Sequence, residues 1–210
     1  MDLMDALDEL PLVAILRGIT AADAVAVGEA LVAAGFAAIE VPLDRPDALD
    51  SIAALAERFD DVAALGAGTV LDPEDAGEVL AAGGRFVVMP NTDPAVIEAA
   101  KAAGLQAVPG FATPSEAFTA VAAGADALKL FPSQASPPPV LRAMKAVLPA
   151  DVPVLPTGGI TPERMAAYWA AGAGGFGLGS ALYRPGASVA EVAAAAAAFT
   201  AAFAALPREP

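Results

Sequence analysis

Two short apolar runs each hold a charged residue between aliphatic neighbours. In ADALKLFPSQ, Lys129 lies between Leu128 and Leu130, and in AAIEVPL, Glu40 lies between Ile39 and Val41. A charged side chain is seldom fully buried without compensation. Both runs read as strands, where neighbours point to opposite faces. If the leucines and β-branched residues face outward, Lys129 and Glu40 share an inner face. A desolvated lysine holds its proton less tightly and becomes a nucleophilic amine, as imine chemistry requires. A carboxylate beside it can carry protons between substrate atoms. The bland readings are a lysine snorkelling to water and a structural ion pair. The two strands alone leave both pairs of readings open.

Further candidates lie at other strand ends. PTGG (156–159) and GLGS (177–180) are glycine-rich, and Gly158, Gly159, Gly179 and Ser180 suit a phosphate held by backbone N–H groups. Arg17 ends LVAILR and can clamp a carboxylate through two N–H bonds; a rim salt bridge is the bland alternative. Thr69 in GAGTV adds a hydroxyl, or is an ordinary strand residue. Asn91 ends another strand. Tyr168 and Trp169, on a helical stretch, are expected to pack against the core or a neighbouring subunit.

Composition removes competing chemistries. The chain has neither histidine nor cysteine. Disulfides, Cys/His zinc sites and Ser-His-Asp or Cys-His nucleophiles are therefore excluded. A metal held only by carboxylates stays open, but no local motif for one is present. A net charge of −14 argues against nucleic-acid or anionic-membrane partners. The N-terminus has no basic, then apolar, leader pattern. The longest apolar stretch, 192–206, is too short to span a bilayer. A cytoplasmic location is expected.

These residues need a scaffold. Eight apolar runs recur: 12–16, 37–43, 63–70, 86–90, 106–110, 126–131, 153–159 and 174–179. Alanine-rich helical runs separate them. Several of these start at proline and end at glycine: 73–82, 94–103, 114–123 and 162–171. Asp72, Asp93, Thr113 and Thr161 precede those prolines as candidate N-caps. Another helical run, 20–34, stops at Gly35. The pattern predicts a (β/α)8 TIM barrel over residues 1–210, a single domain with a short extra N-terminal helix over 2–10. Its chemistry belongs at the C-terminal strand ends, where every candidate falls. Glycine-rich ends on strands 7 and 8 favour phosphate binding there.

The segments LVAILRGIT, AIEVPLDRP, GAGTVLDPE, MPNTDP, PGFATPSEAF, ALKLFPS, PTGGITPE and GLGSALYRPG run nearly the whole chain. In that order they resemble the class I 2-keto-3-deoxy-6-phosphogluconate / 2-dehydro-3-deoxy-6-phosphogalactonate (KDPG/KDPGal) aldolase family. The resemblance implies a homotrimeric barrel that cleaves a phosphorylated keto-deoxy sugar acid, without metal or other cofactor, to pyruvate and glyceraldehyde 3-phosphate. It implies Lys129 as the Schiff-base lysine and Glu40 as the proton-transfer residue. Arg17 and Thr69 would lie near the carboxylate, and Gly158, Gly159, Gly179 and Ser180 at the phosphate. LRGIT, IEVPL and ALYRPG look like the galactonate branch. Pro42-Leu43-Asp44 stands where gluconate members often carry Thr-Leu-Arg. Thr157 looks instead like the gluconate branch and is the specificity candidate. The balance favours the galactonate epimer. The alternatives are the C4 epimer, another phosphate-binding barrel enzyme that would not need Lys129, and a non-catalytic trimeric scaffold.

Overall fold

The computed structural model describes residues 1–207; the last three residues of the expected domain lie outside them. The strands are β1 (Leu12–Ile15), β2 (Ala38–Pro42), β3 (Ala64–Gly68), β4 (Phe86–Val88), β5 (Gln106–Val108), β6 (Gly110–Phe111), β7 (Leu128–Leu130), β8 (Val154–Pro156) and β9 (Phe176–Leu178). The helices are α1 (Leu3–Glu9), α2 (Ala21–Ala33), α3 (Ala48–Phe59), α4 (Asp75–Ala81), α5 (Pro94–Ala102), α6 (Pro114–Ala122), α7 (Pro138–Lys145), α8 (Pro162–Trp169) and α9 (Val189–Ala204).

All strand pairs are parallel, in the orders β5-β4-β3-β2-β1-β9 and β6-β7-β8. The expected fifth strand is split at Pro109, which has no N–H to donate to a ladder. Its carbonyl still accepts from Lys129 N–H at 2.9 Å, joining the two sheets on that side. A bridge between Thr157 and Gly177 joins them on the other. Eight strand positions thus close into the expected (β/α)8 barrel.

Strand alternation sorts the core into two layers. Ile39, Val41, Leu128 and Leu130 face outward into the shell beneath the helices. Val13, Ala38, Phe86, Val88 and Leu155 fill the barrel interior. The N-terminal helix α1 closes one end, because its Leu3, Ala6 and Leu7 pack into that interior cluster. Asp2 caps it by accepting from Asp5 N–H.

Most helix starts follow local capping signals. Asp93 and Thr113 cap α5 and α6 through their side chains, and Thr113 with Glu116 forms a capping box. Two differ. Asp72 does not cap a helix starting at Pro73; it accepts from Glu74 N–H at 3.0 Å in a preceding turn, and α4 begins at Asp75. Thr161 occupies the cap position of α8 but makes no side-chain cap bond. Trp169 packs on Phe176 and Phe203 and donates to Pro207 O at 2.9 Å, within its own chain. Among the described residues no helix is long and apolar enough to cross a membrane.

Candidate active site

The register of β7 sets Lys129. Leu128 and Leu130 are wholly buried on the outer face, so Lys129 points inward and is 7% exposed. Its Nζ lies 5.2 Å from the Phe131 ring centroid, in cation–π range. Lys129 lines a cavity of about 400 Å³ at the C-terminal ends of the strands.

Glu40 lies deeper. It is 1% exposed, and its Oε1 has no hydrogen-bond partner. Two glycines on β3 shape this region. A Cβ at Gly68 would overlap the Glu40 carboxylate, and one at Gly66 would overlap Phe86. Burial pushes the Glu40 carboxyl above its ordinary value, and the Lys129 and Arg17 charges oppose that rise more weakly. Glu40 and Lys129 form no salt bridge with each other. Instead they line one small void, about 10 Å³, beneath the main cavity. That is about the size of one water probe. Thr157 and Ile15 line both spaces, so the void adjoins the cavity at Lys129.

Arg17, Thr69, Thr157, Gly158, Gly159, Gly179 and Ser180 all line the cavity. Arg17 is also in the rim salt bridge, 3.1 Å from Asp44, and its other Nη reaches Thr69 Oγ1 at 3.4 Å. Thr69 adopts φ 57°, a left-handed conformation that is costly for a β-branched residue. Thr157 is 5% exposed and donates to Leu155 O at 3.2 Å. Gly158 and Gly159 have positive φ, and their turn is tied down from outside: Ser133 Oγ donates to Gly158 O and Arg164 to Gly159 O. Tyr168 OH holds that Ser133 segment, donating to Ser133 O at 2.7 Å.

Asn91 does not belong to this set. It is exposed, its carbonyl accepts from Gly110 N–H, and Pro90 forms the cavity wall instead. Gln134, Tyr183 and Arg184 also line the cavity, and no residue pattern in the sequence marks them. Gln134, with its amide oriented to satisfy both ends, bridges Gly158 O and Gly159 N–H at 3.2 Å each. Their signal was position alone, in loops that leave the same strand ends. The cavity wall carries three cations, Arg17, Lys129 and Arg184, and no carboxylate. That contrasts with a chain of 25 acids against 11 bases. Among the described residues no cluster of acidic side chains is placed to hold a metal ion.

A buried amine under an anion-favouring cavity suits a substrate that is both a ketone and an acid. The comparisons agree with that chemistry. The family described as KDPG and KHG aldolase matches residues 3–197. The 2-dehydro-3-deoxy-6-phosphogalactonate aldolase of Escherichia coli K12 is 49% identical, covering 93% of this chain and 95% of its own. The probable 2-dehydro-3-deoxy-6-phosphogalactonate aldolase of Rhizobium meliloti is 44% identical, covering 88% and 87%. A solved structure described as native KDPGal superposes with a TM-score of 0.92 at 48% identity, covering 93% of this chain and 95% of that one. The chain belongs to the KDPG and KHG aldolase family.

Proposed function

We propose that the chain catalyses a class I retro-aldol cleavage of 2-dehydro-3-deoxy-6-phosphogalactonate to pyruvate and D-glyceraldehyde 3-phosphate. The observation that carries this reading is the near-buried Lys129 amine at the cavity wall, with Glu40 on the void beneath it. Lys129 Nζ adds to the C2 ketone, and loss of water leaves a protonated imine. A base takes the C4 hydroxyl proton, and the C3–C4 electron pair moves into the iminium. The aldehyde leaves and an enamine remains. Protonation at C3 and addition of water then release pyruvate and the free lysine. Glu40 acts as that base through a single water, for which the shared void is the right size. The iminium is the electron sink, so the reaction calls on no metal.

Arg17 and Thr69 hold the carboxylate in this reading. The glycine-rich turns at 158–159 and 179–180 hold the phosphate by N–H groups. Thr157, buried beside Lys129, contacts the substrate near C4. Its hydroxyl supports a second reading in which the C4 epimer is also cleaved. Assembly as a homotrimer belongs to the same proposal. Exposed apolar side chains, Phe118 on α6 and Val147 in the turn after α7, offer surface for it.

Borohydride reduction in the presence of pyruvate tests the chemistry. The expected result is a covalent adduct mapped to Lys129 and absent from Lys129→Ala. A chain that keeps its native mass, or a Lys129→Ala chain trapped as well as the original, removes the imine mechanism. Turnover of both C4 epimers then assigns the substrate, and light scattering reads the assembly.

A further inference from the structure

Of the three cations on the cavity wall, two are already engaged. Lys129 is the proposed nucleophile, and Arg17 is held by Asp44 and Thr69. Arg184 is different. It lies in the loop between β9 and α9, is exposed, and forms no salt bridge among the described residues, in a chain with a large excess of acids. Yet it is not loose. Its Nε donates to Ser180 O at 2.8 Å, four residues back along the same turn. The turn itself is closed by Leu182 and Tyr183 N–H groups, both donating to Gly179 O at 2.8 and 3.0 Å. The N–H groups of Ser180 and Ala181, at the head of that turn, donate to no protein acceptor among the described residues. Both residues line the cavity beside Arg184.

With Nε anchored, the two Nη groups of Arg184 remain for another acceptor. A guanidinium fork fixed at one corner matches two oxygens of a phosphate monoester. Uncommitted N–H groups at a turn supply the rest of an anion cradle, without sequence-distant partners. No carboxylate shares the cavity wall with Arg184, and Glu191, which lines an adjoining surface depression with it, is taken up by the Ser188 cap. We infer that Arg184 is a specificity-determining residue: it pairs with the phosphate dianion and makes the enzyme demand a phosphorylated keto acid over its unphosphorylated counterpart. The inference rests on the aldolase reading for the substrate's identity, but its anion chemistry stands separately.

The test compares Arg184→Ala and Arg184→Lys with the original chain on the phosphorylated keto-deoxy acid and on the same acid lacking phosphate. Losing a hydrogen-bonded charge partner predicts a KM for the phosphorylated substrate raised by roughly 10- to 100-fold in Arg184→Ala, with kcat within a few-fold. Turnover of the unphosphorylated acid, trapping with pyruvate and thermal midpoint stay unchanged. Arg184→Lys keeps the charge but not the Nε bond to Ser180, and regains part of the lost affinity. Equal losses on both substrates would mark Arg184 as a brace for the turn and overturn the inference, as would an unchanged KM. Calorimetric titration with inorganic phosphate reads the anion site without any aldol chemistry. Weaker binding to Arg184→Ala supports the role, and equal or absent binding to both chains ends it. Failure of pyruvate trapping would sink the aldolase reading while leaving this titration decisive for Arg184.

Discussion

Gly68 is packed against Glu40 so closely that no side chain fits between them. A Cβ at position 68 would overlap the buried carboxylate. β3 thus gives up side chains at 66 and 68 to make room for Phe86 and Glu40. The first prediction follows from that contact. Gly68→Ala must displace Glu40 or β3, and overpacking of this kind costs about 1–3 kcal/mol. The thermal midpoint should fall, and cleavage should fall at least tenfold while pyruvate trapping on Lys129 persists. Near-original cleavage in a folded Gly68→Ala chain would show that the position of Glu40 does not matter.

Glu40 also makes stability depend on pH, with a definite sign. Burial raises its carboxyl above the ordinary 4.5 in the fold. The folded chain therefore binds more protons at this site than the unfolded chain does. The contribution to stability is full below 4.5 and is lost as pH rises through the raised value. Glu40→Gln has no such proton to lose. In urea unfolding, the stability of the variant relative to the original should increase from acidic to neutral pH; a constant gap would contradict the burial argument. Activity should run the other way, because the proposed relay needs the ionised form. The acidic limb of kcat should lie above the usual carboxylate range. Glu40→Gln should cut cleavage by about two orders of magnitude and abolish that limb.

Much of the arrangement was legible in the sequence because its signals are local. A lysine or glutamate alternating with outward apolar residues reads as inward-facing, and Pro-start, Gly-stop runs read as barrel helices. The rest depends on contacts between distant segments. Nothing near Gly68 shows that its missing side chain makes room for Glu40, nor does Glu40 itself reveal that it stays unpaired from Lys129. Pro109 reads as part of one continuous strand, but it separates β5 from β6, because its ring carries no donor for the ladder. Pro90 and Asn91 both follow β4, and only the packing shows that proline takes the wall while asparagine turns out. Arg184 becomes visible as a site residue only once the turn at 179–183 is closed and the cavity lining is known to lack acids.

Thr157 separates the epimers in a testable way. Its hydroxyl has one protein partner, Leu155 O, and sits at the junction of the cavity and the void. Thr157→Val keeps the volume and removes the donor. If the hydroxyl contacts the substrate near C4, the ratio of kcat/KM between the C4 epimers should shift about tenfold, the worth of one hydrogen bond. The galactonate series is expected to gain. An unchanged ratio, with both epimers still cleaved, would assign C4 recognition to another residue.

Thr69 offers a case in which stability and function part. Its φ of 57° is a conformation that glycine adopts freely and a β-branched residue adopts at a cost of about 1–3 kcal/mol. Glycine loses roughly 0.5–1 kcal/mol through the greater freedom of the unfolded chain, so Thr69→Gly should leave the thermal midpoint unchanged or raise it. The same change removes the Oγ1 that meets Arg17 at 3.4 Å, leaving Asp44 as the side-chain partner of that guanidinium. An exposed pair such as Arg17–Asp44 contributes little by itself, about 0–1 kcal/mol. If Arg17 holds the substrate carboxylate as proposed, its orientation depends on Thr69 as well. In the condensation direction the KM for pyruvate should rise several-fold, with no loss of folded protein. A midpoint lowered by several degrees would mean that the threonine stabilises the fold, and an unchanged KM would detach the Arg17–Thr69 contact from substrate binding.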